Sequence, residues 1–184
     1  MEAATLDLRD PDVPGTTAAG RARVGVRGMT SSFESVYRRH RDELVRALSL
    51  ALNDEGLAAE SVDEAFTRAL HRWHLVGTFP NPQAWVYRTA RNHAMSRFRR
   101  RSRDRRYAHK VGTATLVDDR LPDPALAAAL RQLPDDQRNV LVLRYYLDWS
   151  VEATAEVLDV SPGTVKSRTS RALNELNRLL GGSR

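Results

Sequence analysis

The chain has no cysteine. Disulfides, zinc–thiolate sites and a thiol nucleophile are therefore excluded, and a reducing compartment is compatible with the composition. Long apolar runs are missing too, since none approaches the roughly 18 residues that span a bilayer. The amino end has no secretory pattern: Asp7, Asp10, Pro11, Asp12, Pro14, Gly15, Gly20, Gly25 and Gly28 interrupt residues 1–30. That segment reads as a flexible tail, and the chain as cytoplasmic, without membrane insertion. Strand-like alternation is almost absent. The histidines at 40, 71, 74, 93 and 109 lack metal-ligand spacing. His71 and His74 lie one turn apart, but such a pair more often lines a helix face. Asp118, Asp119 and Asp123 read as solvating a linker. No catalytic residue, metal or cofactor is expected.

What is present is positive charge. The 184 residues carry a formal net charge of +6, with arginine far outnumbering lysine. A basic balance points to an anionic partner, nucleic acid or a membrane surface. The length suits one ordinary domain or two small ones.

Helical periodicity organises the rest into two blocks. In the first, Ser31 and Glu34 have capping-box spacing, and Phe33, Val36, Tyr37, Leu44, Leu48 and Leu52 form a stripe. A second helix carries Ala58, Val62, Ala65, Phe66, Ala69, Leu70 and Trp73 on one face, and breaks at Gly77, Pro80 and Pro82. Asn81 and Pro82 then open a third helix running to about Phe98. Residues 102–122 lose periodicity and read as a linker. Asp123 and Pro124 open the second block. VLVLRYYL (140–147) is β-branched enough for a strand. The helix start at Pro134, Asp135 and Asp136 predicts helix instead. The expected fold is all-α, two small helical domains joined by a flexible linker.

Residues 150–173 have helix-turn-helix spacing. Ala155 is small where two helices must approach, Asp159 falls in the turn four residues on, and Val165 lies ten residues after Ala155, under the second helix. Glycine is commoner at such a turn, but aspartate also tolerates a left-handed backbone. The second helix opens with Ser161, Thr164, Lys166, Ser167, Arg168 and Arg171. A helix in the major groove presents its first turns to base edges, and these donors suit guanine and phosphate.

The first block holds a second basic surface. RNHAMSRFRRRSRDRR (91–106) contains eight arginines and one acid, with Trp85, Tyr87, Phe98 and Tyr107 nearby. Cations beside rings suit a backbone with unstacked bases, although Trp85 is equally compatible with a core position. By contrast, residues 53–67 contain Asp54, Glu55, Glu60, Asp63 and Glu64 with no lysine or arginine. Such a surface repels phosphate and calls for a basic protein partner.

In this order, DEAFTRAL (63–70), AWVYRTARNHA (84–94), LPDDQRNVLVLRYY (133–146) and SPGTVKSRTSRALNEL (161–176) resemble bacterial RNA polymerase sigma factors of the extracytoplasmic-function group. The resemblance implies a promoter-specificity subunit. It makes residues 31–101 the region two bundle, which binds core polymerase and the element just upstream of the start, and residues 123–184 region four, which binds the distal element. It assigns Glu60, Asp63, Glu64 and Phe66 to core polymerase. Asn92 is placed at a base flipped from the non-template strand, with His93 and Ser96 beside it and Arg91 and Arg97 on phosphates. Core RNA polymerase, promoter DNA and an anti-sigma protein are the implied partners. Ser61, Ser96, Ala153, Thr154, Thr169 and Ser170 depart from commoner family residues. The rival reading is a stand-alone helix-turn-helix regulator that does not bind core polymerase. It leaves the acidic helix and the Asn92 segment without a task.

Overall fold

The computed structural model describes residues 32–105 and 123–181; the amino tail, Ser31 and most of the expected linker lie outside the described residues. Those described form helices and no strand. In the first block, α1 spans Phe33–Leu52, α2 Glu55–His71, α3 Trp73–Val76 and α4 Pro82–Arg105. In the second, α5 spans Pro124–Gln132 and α6 Asp135–Leu141, followed by a π-helical turn, Val142–Tyr146. Helix α7 then spans Val151–Leu158 and α8 Pro162–Gly181.

The caps explain the boundaries. Ser32 accepts from the Ser35 N–H, so the expected cap at Ser31 shifts by one residue. Asp54 caps α2, Asn81 accepts from the Ala84 N–H at 3.0 Å to start α4, and Asp123 and Ser150 cap α5 and α7. Helix α4 runs past the expected end near Phe98, because its arginine-rich continuation contains no breaker. VLVLRYYL is helical, as the Pro134–Asp136 start predicts, but widens: Leu147 N–H bonds the Val142 carbonyl five residues back, at 3.1 Å.

In the first block, Phe33, Tyr37, Phe66 and Trp73 form a ring cluster, with centroids 4.9 Å apart for Tyr37 and Phe66 and 5.4 Å for Phe33 and Trp73. Glycine at 77, just after α3, fits because a Cβ there would lie 2.8 Å from the Trp73 carbonyl oxygen. Leu70, expected on the core face, is 52% exposed, because the buried stripe of α2 ends on Ala69 and the next residue is turned about 100° away from it.

The two blocks are not independent. One continuous core contains Leu44, Leu48, Val62, Phe66 and Tyr87 from the first block together with Val140, Leu143, Trp149, Val157 and Leu158 from the second. Tyr87 of α4 and Trp149 meet edge to face at 5.5 Å, with their rings inclined 80°. The guanidinium of Arg138 is buried, and its Nε donates to the Ala51 carbonyl at 3.0 Å. A smaller core of Leu133, Leu141 and Ala172, flanked by Leu130, Leu173, Leu176 and Leu179, ties α5 and α6 to α8.

Candidate nucleic-acid and polymerase interfaces

The helix-turn-helix geometry follows from three residues. Asp159 is left-handed at φ 57°, ψ 49° and ends α7. Ala155 is buried beside the turn, and Val165 is fully buried under α8. Ser161 caps α8, accepting from the Thr164 N–H at 3.1 Å and sharing a 2.9 Å hydrogen bond with the Thr164 hydroxyl. Ser167 Oγ donates to the Thr164 carbonyl at 3.1 Å. The three hydroxyls expected to meet DNA thus spend a hydrogen bond each on shaping the helix. Lys166 and Arg171 stand exposed, while Arg168 is held by Asp136, with Nε and Oδ2 at 3.1 Å. Thr164, Arg168 and Arg171 share one face, being four and three residues apart.

On α4, Asn92, His93, Ser96, Arg97 and Arg100 line a cavity of about 330 Å³ with Arg68 of α2. Its size and mixed donors and acceptors suit a planar base. His93 Nδ1 lies 3.1 Å from the hydroxyl of Ser61, which is buried between α2 and α4. This explains serine at a position where the resembled family commonly carries an acid: a carboxylate would be buried there. Arg91 sits apart from the cavity. It is half-buried, its Nε has no hydrogen-bond partner, and burial, opposed by Tyr87, holds its pKa below the ordinary arginine value, with the like charges of Arg168 and Arg88 adding to the depression. Arg91 therefore lies beside the second block, towards Arg168. Sequence spacing gave no sign of this.

The acids of α2 are exposed or half-exposed, but not bare. Arg41 of α1 binds Asp63 bidentately at 2.7 and 2.8 Å, which raises the arginine pKa. Glu60 Oε1 pairs with Arg97 Nη2 at 2.9 Å, and Glu64 with Arg68 at 2.9 Å. Phe66 is a correction. It is only 2% exposed, packed against Phe33 and Tyr37, so it belongs to the core and cannot serve as a surface contact. The exposed apolar residues nearby are Leu70 and Leu75, at 52% and 41%. Trp85, for which both readings stood open, is buried at 7%. Among the described residues, no helix is long and apolar enough to cross a membrane, and no group of three or more His, Asp or Glu side chains is placed to hold a metal ion.

Comparison with known proteins covers both blocks. The family described as Sigma-70 region 2 matches residues 36–104, and Sigma-70, region 4 matches residues 124–176. The chain is 34% identical to the ECF RNA polymerase sigma factor SigM of Mycobacterium tuberculosis over 85% of its own length and 81% of that protein. It is 30% identical to the RNA polymerase sigma-E factor of Streptomyces antibioticus, over 83% and 87% of the two chains. Among solved structures, the sigma factor RpoE crystallised with the anti-sigma factor NepR from Bartonella quintana superposes with a TM-score of 0.70 at 25% identity, covering 83% of this chain and 98% of that one. CnrH in complex with the cytosolic domain of CnrY gives 0.57 at 26%, covering 83% and 89%. With a helix-turn-helix in one block, a base-sized cavity in the other and both sigma regions matched in order, the chain belongs to the family of extracytoplasmic-function RNA polymerase sigma factors, which direct the polymerase to promoters.

Proposed function

We propose that the two blocks divide the work of initiation on three surfaces. Residues 31–101 act as region two and residues 123–184 as region four, with the chain between them as tether. Glu60, Asp63 and Glu64 on α2 engage a basic surface of core polymerase, exchanging Arg97, Arg41 and Arg68 for the partner's cations. Leu70 and Leu75 take the apolar part assigned from sequence to Phe66. Lys166, Arg168 and Arg171 read the distal element as duplex, with Ser161, Thr164 and Ser167 at the helix start placed for phosphate or base edges.

The observation that carries this reading is the cavity around Asn92. It adjoins Glu60 through Arg97, so the polymerase surface and the base site share one side chain. An amide that both donates and accepts matches an extruded base edge, with His93 and Ser96 beside it and Arg91 and Arg97 for phosphates. The chemistry is non-covalent. Opening duplex costs about 1.4 kcal/mol per stacking step. A captured, stacked base returns about 1–3 kcal/mol. Such a balance tips only while polymerase holds the DNA, so the protein acts with core enzyme in the cytoplasm, where the template is. A further partner of the anti-sigma class fits the company of its structural relatives.

The test is run-off transcription with purified core polymerase on genomic fragments, alongside core pull-down. Promoter-specific transcripts are expected. Specific operator binding without core binding would instead identify a stand-alone helix-turn-helix regulator.

A further inference from the structure

The packed faces of α2 and α4 are small and apolar, with Ala58, Val62, Ala65, Ala90 and Ala94 fully buried. Ser61 is the one polar side chain among the seven buried on α2, and it is 0% exposed. Its hydroxyl has a single hydrogen-bond partner among the described residues, His93 Nδ1 at 3.1 Å. A buried hydroxyl must place its proton on an acceptor or leave it unpaired at a penalty. The acceptor within reach is Nδ1, so Ser61 donates and Nδ1 accepts. A neutral imidazole whose Nδ1 accepts carries its own proton on Nε2.

Nε2 makes no hydrogen bond with another described residue, and His93 lines the Asn92 cavity. What His93 offers a base is therefore set from the far side of its ring. The remaining lining works in the same sense. Arg68, Arg97 and Arg100 can only donate, whereas Asn92 and Ser96 donate and accept. A donating Nε2 adds to this surplus of donors. Such a lining matches a base edge that carries a carbonyl oxygen where its rival carries an amino group. Within each ring size that means thymine over cytosine and guanine over adenine.

We infer that Ser61 is a positioning residue for base selection: its buried hydroxyl holds His93 in the Nε2–H tautomer, so that the cavity takes an extruded base bearing a carbonyl rather than an amino group. This selectivity rests on the base-capture reading of the Asn92 cavity and deepens it by naming the class of base.

Two measurements on the full chain test it. The first is NMR of nitrogen-labelled protein at about pH 8, with the His93 signals identified by their loss in His93→Gln. They should show a protonated Nε2 and a bare Nδ1. In Ser61→Ala, a small residue suited to these faces, they should move towards a mixture of both tautomers. The second is holoenzyme binding to bubble templates, made from a promoter found by run-off transcription, with each base in turn at each unpaired non-template position. At one position the wild type should prefer the carbonyl base of each size-matched pair about fivefold. Ser61→Ala should bring that ratio close to one while core affinity stays at the wild-type level.

A proton on Nδ1 in the wild type overturns the role of Ser61, as does a carbonyl preference that survives Ser61→Ala. Should circular dichroism melting show Ser61→Ala misfolded, the wild-type tautomer and base ratio still decide. Capture of an amino-bearing base by the wild type overturns the selectivity and leaves base capture standing. No base preference at any unpaired position would sink the base-capture reading as well.

Discussion

Arg138 Nε donates to the carbonyl of Ala51 at 3.0 Å, joining the last turn of α1 to a residue 87 positions later. The same guanidinium donates to the Leu133 carbonyl at 3.0 Å, and its Nη2 pairs with Asp135 at 2.5 Å. The charge is buried, yet its partners are mainly backbone carbonyls, whose orphaned lone pairs at helix ends it satisfies. One arginine closes both α1 and the α5–α6 corner.

Arg138→Met should therefore lower stability by about 2–4 kcal/mol, because it leaves the Ala51 and Leu133 carbonyls without their donor. Asp135→Ala should cost less than about 1 kcal/mol, its side chain being 83% exposed. Urea unfolding of both variants checks the contrast. Equal losses would mean that the ion pair, not the carbonyl bonds, sets the effect.

Arg168→Ala should weaken binding of the distal element in the polymerase complex and reduce the salt slope by about one, if the side chain meets phosphate. Asp136→Ala frees the same guanidinium from its 3.1 Å partner and should act in the opposite direction. Footprints across a salt series measure both. Unchanged slopes in the two variants would remove Arg168 from the interface.

Asn92→Ala should impair strand opening more than recruitment, since it changes the cavity and leaves α2 and α8 intact. Permanganate reactivity of promoter thymines is expected to fall while the closed-complex gel shift persists. Wild-type reactivity would take Asn92 out of base capture.

Burial raises the Tyr87 pKa well above the ordinary phenol value, with Arg91 opposing the shift. A raised folded-state pKa means that stability is fully present below the unfolded value of about 10 and is lost as pH climbs above it. Thermal melts should thus show no pH dependence from Tyr87 near neutrality and a falling midpoint above about pH 10, a loss that Tyr87→Phe reduces. A Tyr87→Phe protein as alkali-sensitive as the wild type would contradict this.

Much of the architecture was legible along the chain. Ser150, Asp159 and Val165 located the helix-turn-helix, because a cap, a left-handed turn and a buried apolar residue at fixed offsets are local properties. Pro82, Pro124 and Pro162 marked helix starts for the same reason. The candidate DNA residues of α8 followed from helical spacing, and the Asn92 group from the resemblance to sigma factors. Phe66 did not separate as core from contact, since an apolar residue on an amphipathic stripe looks the same in sequence whether its neighbours are its own helices or another protein's. Nor did the pairing of Glu60, Asp63 and Glu64 with Arg97, Arg41 and Arg68, because two of those arginines come from other helices.

The sequence by itself determined that this protein is all-helical, basic, and built of two blocks in sigma-factor order, since helix caps, breakers and apolar periodicity act within a few residues. Only the tertiary structure decided that the blocks share one core. Trp149 against Tyr87 and Arg138 against Ala51 are contacts between distant segments, and which faces meet is set by packing that no local pattern encodes.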